Sequence, residues 1–305
     1  MAERQDRPEL LGMAAVALTV LMWGMSAVAI KAVSTGGLVT ATYRLWIAVP
    51  AMWLTMLAPG LRRRLDARWA RASLIGGLLF SIHQILYFVS LKMTSVANVT
   101  IIGALQPALV LLMAGPMFGE AATRQSILWS AIAFVGTALV VLGGTHDGAS
   151  SLLGDVLAFI NLFAFTAYFL ASKRFRADVH AWDYVVGMTT VSGVVIVAVT
   201  LATRQEFGSP APWEWAVLAG IAIFPGTLGH VLTNWAHAHV PAFVSSMILL
   251  AVPVIATAAA WMLVDERITG LQLAGGAVVL GAIAKIVQTS RRPRVIDAVE
   301  ASSMP

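Results

Sequence analysis

The apolar positions of this chain fall into long blocks separated by short polar segments. A helix rising about 1.5 Å per residue needs about 20 apolar residues to cross the hydrocarbon of a bilayer, so blocks of that length are the meaningful unit. Ten are present, at about Leu10–Ile30, Leu38–Ala58, Ala72–Leu91, Val96–Phe118, Ser126–Gly144, Leu152–Ser172, Tyr184–Thr203, Trp215–Trp235, Ala242–Val264 and Gly270–Gln288. They predict an all-α polytopic membrane protein with ten transmembrane helices. The loops are short and the end of the chain is polar, which leaves no room for a soluble catalytic domain.

The chain repeats itself. Pro107, Glu120 and Thr123 are matched by Pro253, Glu266 and Thr269, each 146 residues on, and Leu11, Gly12 and Lys31 are matched by Leu153, Gly154 and Lys173, each 142 residues on. Each unit holds five spans. An odd number obliges the second copy to enter the membrane from the opposite face, so the repeats are inverted, an arrangement that places solute sites near the midplane. The expected organisation is a cytoplasmic segment 1–9, a first repeat 10–144, a second repeat 145–288 and a disordered cytoplasmic tail 289–305.

Polar residues at helical spacing in a span mark a face turned away from lipid. The third helix carries His83, Gln84 and Tyr87, and its repeat mate, the eighth, carries His230, Thr233 and Asn234. The first carries Thr19, Trp23 and Ser26, and the sixth carries Asn161, Phe165 and Tyr168, in register at 142. Interhelical polar packing is one reading of such stripes. The mixture of aromatics and amides on the same faces favours a solute cavity.

Pro107 and Pro253 lie mid-span, where proline removes one backbone hydrogen bond and kinks the helix, so the carbonyls of Gly103 and Leu249 lose their partners. Such carbonyls must be buried in protein or line water, and matched placement favours a moving or cavity-lining element. Arg44 is the one arginine well inside a span. Two readings are open: it snorkels outward along its own helix, or it offers a fixed positive charge in the cavity to a carboxylate. Glu120 and Glu266 end helices, where capping, ion pairing or gating is expected. His146, His180, His237 and His239 are in or beside loops and read as solvated. The fifth and tenth helices, with Gly136, Thr137, Gly275, Gly276 and Gly281, read as packing or dimer helices.

Composition agrees: 59% of the 305 residues are hydrophobic and 11% charged, whereas a soluble domain is roughly a quarter charged. The net charge of +5 is topological rather than a sign of nucleic-acid binding. With the N-terminus inside, fifteen Lys and Arg fall on cytoplasmic segments and four outside, which places both termini in the cytoplasm. The absence of cysteine excludes disulfides and thiolate metal sites. The first apolar block has no small-residue cleavage site and reads as a retained span.

Trp23-Gly24 with Lys31, Tyr43-Arg44, Tyr87 to Leu91, and Pro107 followed by Phe118-Gly119-Glu120 resemble the drug/metabolite transporter superfamily, in its ten-helix EamA-type members. Gly154-Asp155, Lys173-Arg174, Pro253 and Glu266 repeat the pattern more loosely, and the likeness covers about residues 10–288. The sixth helix departs from the family with Phe165-Thr166 in place of a frequent tryptophan, and Asp265-Glu266 stands for Gly-Glu. The resemblance implies an inner-membrane exporter of small metabolites, amino acids foremost, using a central cavity and alternating access, with no cofactor or metal. The residues expected to bind solute are Trp23, Arg44, His83, Gln84, Tyr87, Asn161, Tyr168, His230 and Asn234, with Pro107 and Pro253 as kink or gating elements.

A channel-like facilitator is the nearest alternative. An intramembrane enzyme fits poorly, because an aspartyl protease needs two membrane carboxylates and no H-E-x-x-H zinc motif occurs. No acidic residue lies centrally in a span, so a solute gradient alone is expected to drive flux.

Overall fold

The computed structural model describes residues 2–57, 65–120, 123–143, 151–264 and 268–290. His146, Glu266, the Arg62–Arg64 run and the tail beyond residue 290 lie outside the described residues. Among the described residues every element is helical, as expected: α1 (Ala2–Ala32), α2 (Gly37–Met56), α3 (Ala67–Met93), α4 (Val96–Gly103), α5 (Gln106–Phe118), α6 (Arg124–Leu142), α7 (Leu152–Phe175), α8 (Ala181–Ala202), α9 (Pro212–Ile223), a π-helical turn (Phe224–Gly229), α10 (His230–Ala236), α11 (Ala242–Leu249), α12 (Val252–Val264) and α13 (Gly270–Ser290). Polar residues just ahead of the apolar blocks start several helices. Asp66 accepts the Trp69 N–H (2.9 Å), Ser95 the Asn98 N–H (3.0 Å), and Ser151 the Gly154 N–H (3.0 Å). Among the described residues nine helical stretches are long and apolar enough to cross a membrane. The 20-residue α2 falls outside that set, because Arg44, Tyr43 and Pro50 interrupt its apolar run.

Three expected helices are not continuous. The fourth block breaks between α4 and α5 at residues 104–105, and the ninth between α11 and α12 at residues 250–251, 146 positions on. Proline has no N–H, and its ring collides with the carbonyl four residues back, so each chain tightens into a bond three residues back, from Leu105 N to Ile102 O (3.1 Å) and from Leu250 N to Met247 O (3.1 Å). In the eighth block Pro225 breaks the ladder in the same way. The helix widens there into the π turn, in which the Thr227 hydroxyl donates to Ala222 O (2.9 Å). The first helix also runs beyond its apolar block, starting at Ala2.

Helix association in lipid relies on close packing and interhelical hydrogen bonds, because the surrounding tails are as apolar as the side chains. Between α3 and α8 the contact is made by glycine: a Cβ on Gly77 would lie 2.5 Å from Val191 Cβ, and one on Gly76 2.1 Å from the Tyr184 hydroxyl. Three indoles tie α8 to its neighbours, Trp46 Nε1 donating to Gly193 O (3.2 Å), Trp53 Nε1 to Thr190 Oγ1 (2.9 Å) and Trp69 Nε1 to Asp183 O (2.7 Å). The fifth and tenth blocks, α6 and α13, pack on each other, with Gly275 so near Gly136 that a Cβ would sit 2.6 Å from its carbonyl. Their outer faces expose Leu128, Val135, Leu273 and Leu280, as lipid contact requires. Two apolar clusters result, one around α1, α5, α6 and α10 to α13, the other around α2, α3, α8 and α9, and Phe165 of α7 packs against both.

Gly77→Leu should therefore destabilise the protein by about 1–3 kcal/mol through overpacking. A thermal midpoint in detergent that matches wild type would contradict the close α3–α8 contact.

Candidate functional site: a central cavity between the repeats

Where the two clusters meet, the bundle holds a partly open cavity of about 160 Å³. Its walls come from both halves of the chain. Thr100, Gly103, Ala104, Gln106 and Pro107 face the residues 146 positions on, Ser246, Leu249, Leu250, Val252 and Pro253, so that both helix breaks open onto the same space. Trp23, Ser26, Arg44, His83, Gln84, Tyr87, Asn161, Phe165 and His230 complete the polar and aromatic lining.

Arg44 does not snorkel. Its side chain is 4% exposed, and the guanidinium turns into the cavity, where Nη1 hydrogen-bonds the Gln84 side-chain oxygen and Nη2 reaches Gly226 O at 3.4 Å. Phe88 lies beneath it, its ring centroid 5.6 Å from the guanidinium carbon. Both acceptors are neutral, and among the described residues no carboxylate pairs with it. The π turn makes this placement possible. Carbonyls of the turn accept side-chain donors, Gly226 O from Arg44, Pro225 O from Trp23 Nε1 (3.1 Å) and Gly229 O from the Thr19 hydroxyl (3.2 Å). Gly226 is required at that point, since a Cβ would lie 2.7 Å from Arg44 Nε and 2.6 Å from Ile221 O.

A hydrogen-bonded aromatic wall stands opposite. His83 Nδ1 donates to Asn161 Oδ1 (2.8 Å), and the His83 ring lies parallel to Tyr168 with centroids 6.0 Å apart. The Tyr168 hydroxyl pairs with His230 Nδ1 (3.1 Å) and accepts from Asn234 Nδ2 (3.4 Å), which also donates to His230 O (2.8 Å). The structure thus brings Trp23, Arg44, His83, Gln84, Tyr87, Asn161 and His230 together on the cavity surface, with Pro107 and Pro253. Tyr168 and Asn234 do not line it: both are buried one layer back, where they hold His230 in place.

The ends of the bundle are tied by charges. Glu120 accepts the N–H groups of Ala242 (3.0 Å) and Phe243 (3.3 Å) at the start of α11 and pairs with Lys173 at 3.1 Å, which fulfils both the capping and the ion-pairing readings. Lys173 Nζ donates to Val240 O (2.8 Å), and Lys31 Nζ, its repeat mate, donates to Thr94 O (2.5 Å), the mate of Val240. Asp155 accepts from Thr94 Oγ1 (2.6 Å) and Asn98 Nδ2 (2.9 Å). His237 corrects the expectation of a solvated side chain. It caps α10, is 4% exposed, and packs edge-on to Phe169 at 4.5 Å. Burial, with Lys173 and Arg176 adding repulsion, pushes it down to about 3, so its ring is neutral.

Sequence reasoning missed Gln106, Phe88, Ser246 and the π turn. Gln106 is 3% exposed, and its Nε2 has no partner among the described residues. It was visible as an amide directly before Pro107 in an apolar block, but it belongs to no repeated stripe, because Val252 occupies the matching place. The Pro225-Gly226 pair was an equally plain signal for an irregular helix. Among the described residues no group of three or more His, Asp or Glu side chains is placed to hold a metal ion.

An apolar exterior, many membrane-length helices and a cavity between matched halves with a few polar groups in its largely apolar wall define a multi-pass membrane transporter. The chain belongs to the EamA-like transporter family, which matches residues 10–142 and again 152–288. It is similar to the uncharacterized transporter YyaM of Bacillus subtilis (strain 168), at 25% identity over 71% of this chain and 73% of that one. A probable terminal-alkyne amino-acid exporter of Streptantibioticus cattleyicolor is 24% identical over 91% of this chain and 93% of its own length. A crystal structure of a protein with 18% identity superposes with a TM-score of 0.77, covering 95% of this chain and 100% of that one, which speaks to the fold alone. The family and its relatives point to transport rather than enzymatic chemistry.

Gln84→Leu should destabilise the protein by about 1.5–3 kcal/mol, because it strips a buried charged donor of its main acceptor. Adding Arg44→Met should restore most of the lost thermal midpoint. A double variant less stable than Gln84→Leu would show that Arg44 is held by other contacts.

Proposed function

We propose that this protein is a carrier that exports small organic solutes bearing a carboxylate, amino acids foremost, across the inner membrane. Alternating access between two inverted five-helix repeats moves the solute, with ten spans, α2 included, and both termini in the cytoplasm. The observation that carries this reading is Arg44: a guanidinium buried against the cavity, hydrogen-bonded to neutral groups only, with donors left for a solute oxygen. A permanently charged fork without a carboxylate partner is costly in a membrane interior and suits bidentate binding of a solute carboxylate. Trp23, Tyr87, Phe88, Phe165 and Leu249 line the remaining surface and fit an apolar side chain. The Streptantibioticus relative, named as an amino-acid exporter, supports the same solute class. His83, Gln84, Asn161 and His230 act as neutral hydrogen-bonding groups around the solute, while Tyr168 and Asn234 position His230.

In proteoliposomes, Arg44→Gln should reduce counterflow of carboxylate solutes at least tenfold, and that of uncharged solutes of similar size much less. Equal loss for both classes would remove the carboxylate role. Tags at Arg176 and Phe207 should report opposite faces of the membrane, and finding them on one face would overturn the inverted arrangement.

A further inference from the structure

A helix carbonyl normally accepts the N–H four residues on, and for Gly103 and Leu249 that position is Pro107 and Pro253. Among the described residues no backbone N–H takes up either carbonyl by another route, and the nearest tightened bonds end at Ile102 and Ile248 instead. Both residues line the cavity. Gly103 is the last residue of α4 and Leu249 the last of α11, so each carbonyl sits at the negative end of a half-helix. Each such end carries roughly half an elementary negative charge. Two such carbonyls at one cavity offer oxygen ligands of the kind that monovalent cations take.

Other features of the cavity agree with that occupant. Among the described residues no Asp or Glu lines it, so a cation there is held by neutral oxygens and ring faces alone. The aromatic rings of Trp23, Tyr87 and Phe165 border the same space, and a ring face attracts a cation. The polar groups also divide by sign, with the donors Arg44 and Gln106 Nε2 suited to an anionic group and the broken-helix carbonyls suited to a cationic one.

We propose that the two helix breaks together form a subsite for one small monovalent cation, bound by the carbonyls of Gly103 and Leu249. The cation is either the primary ammonium group of the solute or an alkali metal ion that enters with it. This deepens the carrier reading given above and rests on it for the location of the solute. The prolines then have a chemical role beyond bending: they keep two carbonyls available in a place where an ordinary helix would consume them.

The test uses the purified full chain in detergent, with L-leucine, L-2-hydroxy-4-methylpentanoate, which lacks the ammonium group, and 3-methylbutylamine, which lacks the carboxylate. Binding and thermal midpoint are measured in Na⁺, K⁺ or N-methyl-D-glucamine. Leucine should bind at least tenfold more tightly than the hydroxy acid in N-methyl-D-glucamine, which identifies the solute ammonium as the occupant. A hydroxy acid whose affinity rises at least tenfold in Na⁺ or K⁺ identifies the metal ion instead. Pro107→Ala and Pro253→Ala return an N–H to positions 107 and 253, and each should shrink the preference at least threefold, whereas a bend without a ligand role would shift both acids alike. An undiminished preference in both variants overturns the assignment to these carbonyls, and if the variants do not fold, the wild-type preference decides. Equal affinity for both acids in every salt overturns the subsite and leaves the Arg44 reading standing. Stabilisation by the amine or by Na⁺ or K⁺, without binding of either acid, keeps the subsite and removes the carboxylate reading. No response to any probe overturns both.

Discussion

A backbone carbonyl without a hydrogen bond cannot face hydrocarbon, and that constraint organises the centre of this molecule. Three spans are interrupted, at residues 104–105, at 250–251 and through the π turn at 224–229, and all three interruptions meet the same cavity. The intact helices α6 and α13 lie outside it and present leucine and valine outward. Among the described residues the breaks within spans are therefore gathered where side chains stand in for lost partners. Leu105 and Leu250 settle part of the deficit with tightened turns, and Trp23, Thr19 and Arg44 donate to carbonyls of the π turn.

The buried charge follows from the same constraint. Arg44 is tolerable because Gln84 comes from the adjacent helix and Gly226 has no Cβ to exclude the guanidinium. Neither acceptor neutralises it. The result is a charge with its direction fixed and its sign uncompensated, which is the condition under which attraction best offsets what a carboxylate loses on leaving water. The aromatic wall of His83, Tyr168 and His230 gives that charge a counterface rich in neutral hydrogen-bonding groups, kept rigid by Asn161 and Asn234.

Much of this was legible in the sequence, for identifiable reasons. The duplicated prolines located both breaks, and the His83-Gln84-Tyr87 stripe, Trp23 and Asn161 pointed to the cavity, because polar side chains in a span have few other places to go. Tyr168 and Asn234 were assigned to the surface of the site although they lie behind it, since helical spacing gives the face of a helix and not the depth at which a side chain stops. Gln106 stands in no repeated stripe, because the repeats differ there and Val252 takes the matching place. His237 was misjudged for the opposite reason: its place beside a loop suggested water, but the turn after α10 folds it under Phe169.

The ends of the bundle show how a site this deep between the repeats remains compatible with transport. Glu120 joins the first repeat to the start of α11 with two backbone hydrogen bonds and one ion pair, at side chains that remain partly exposed. Bonds of this kind contribute about 0.5–3 kcal/mol each, less when water reaches them, so the whole tie is of the size that a bound solute can offset. α11 is only eight residues long and ends at the break, so loosening its start leaves α12 undisturbed beyond residues 250–251. α4 has the same length and ends at the matching break. A short half-helix hinged at a proline, beside the same cavity in each repeat, gives the carrier proposed here two movable pieces that share one solute site, and Asp155 at Thr94 and Asn98 and Glu120 at Ala242 and Phe243 hold the start of each against the opposite repeat.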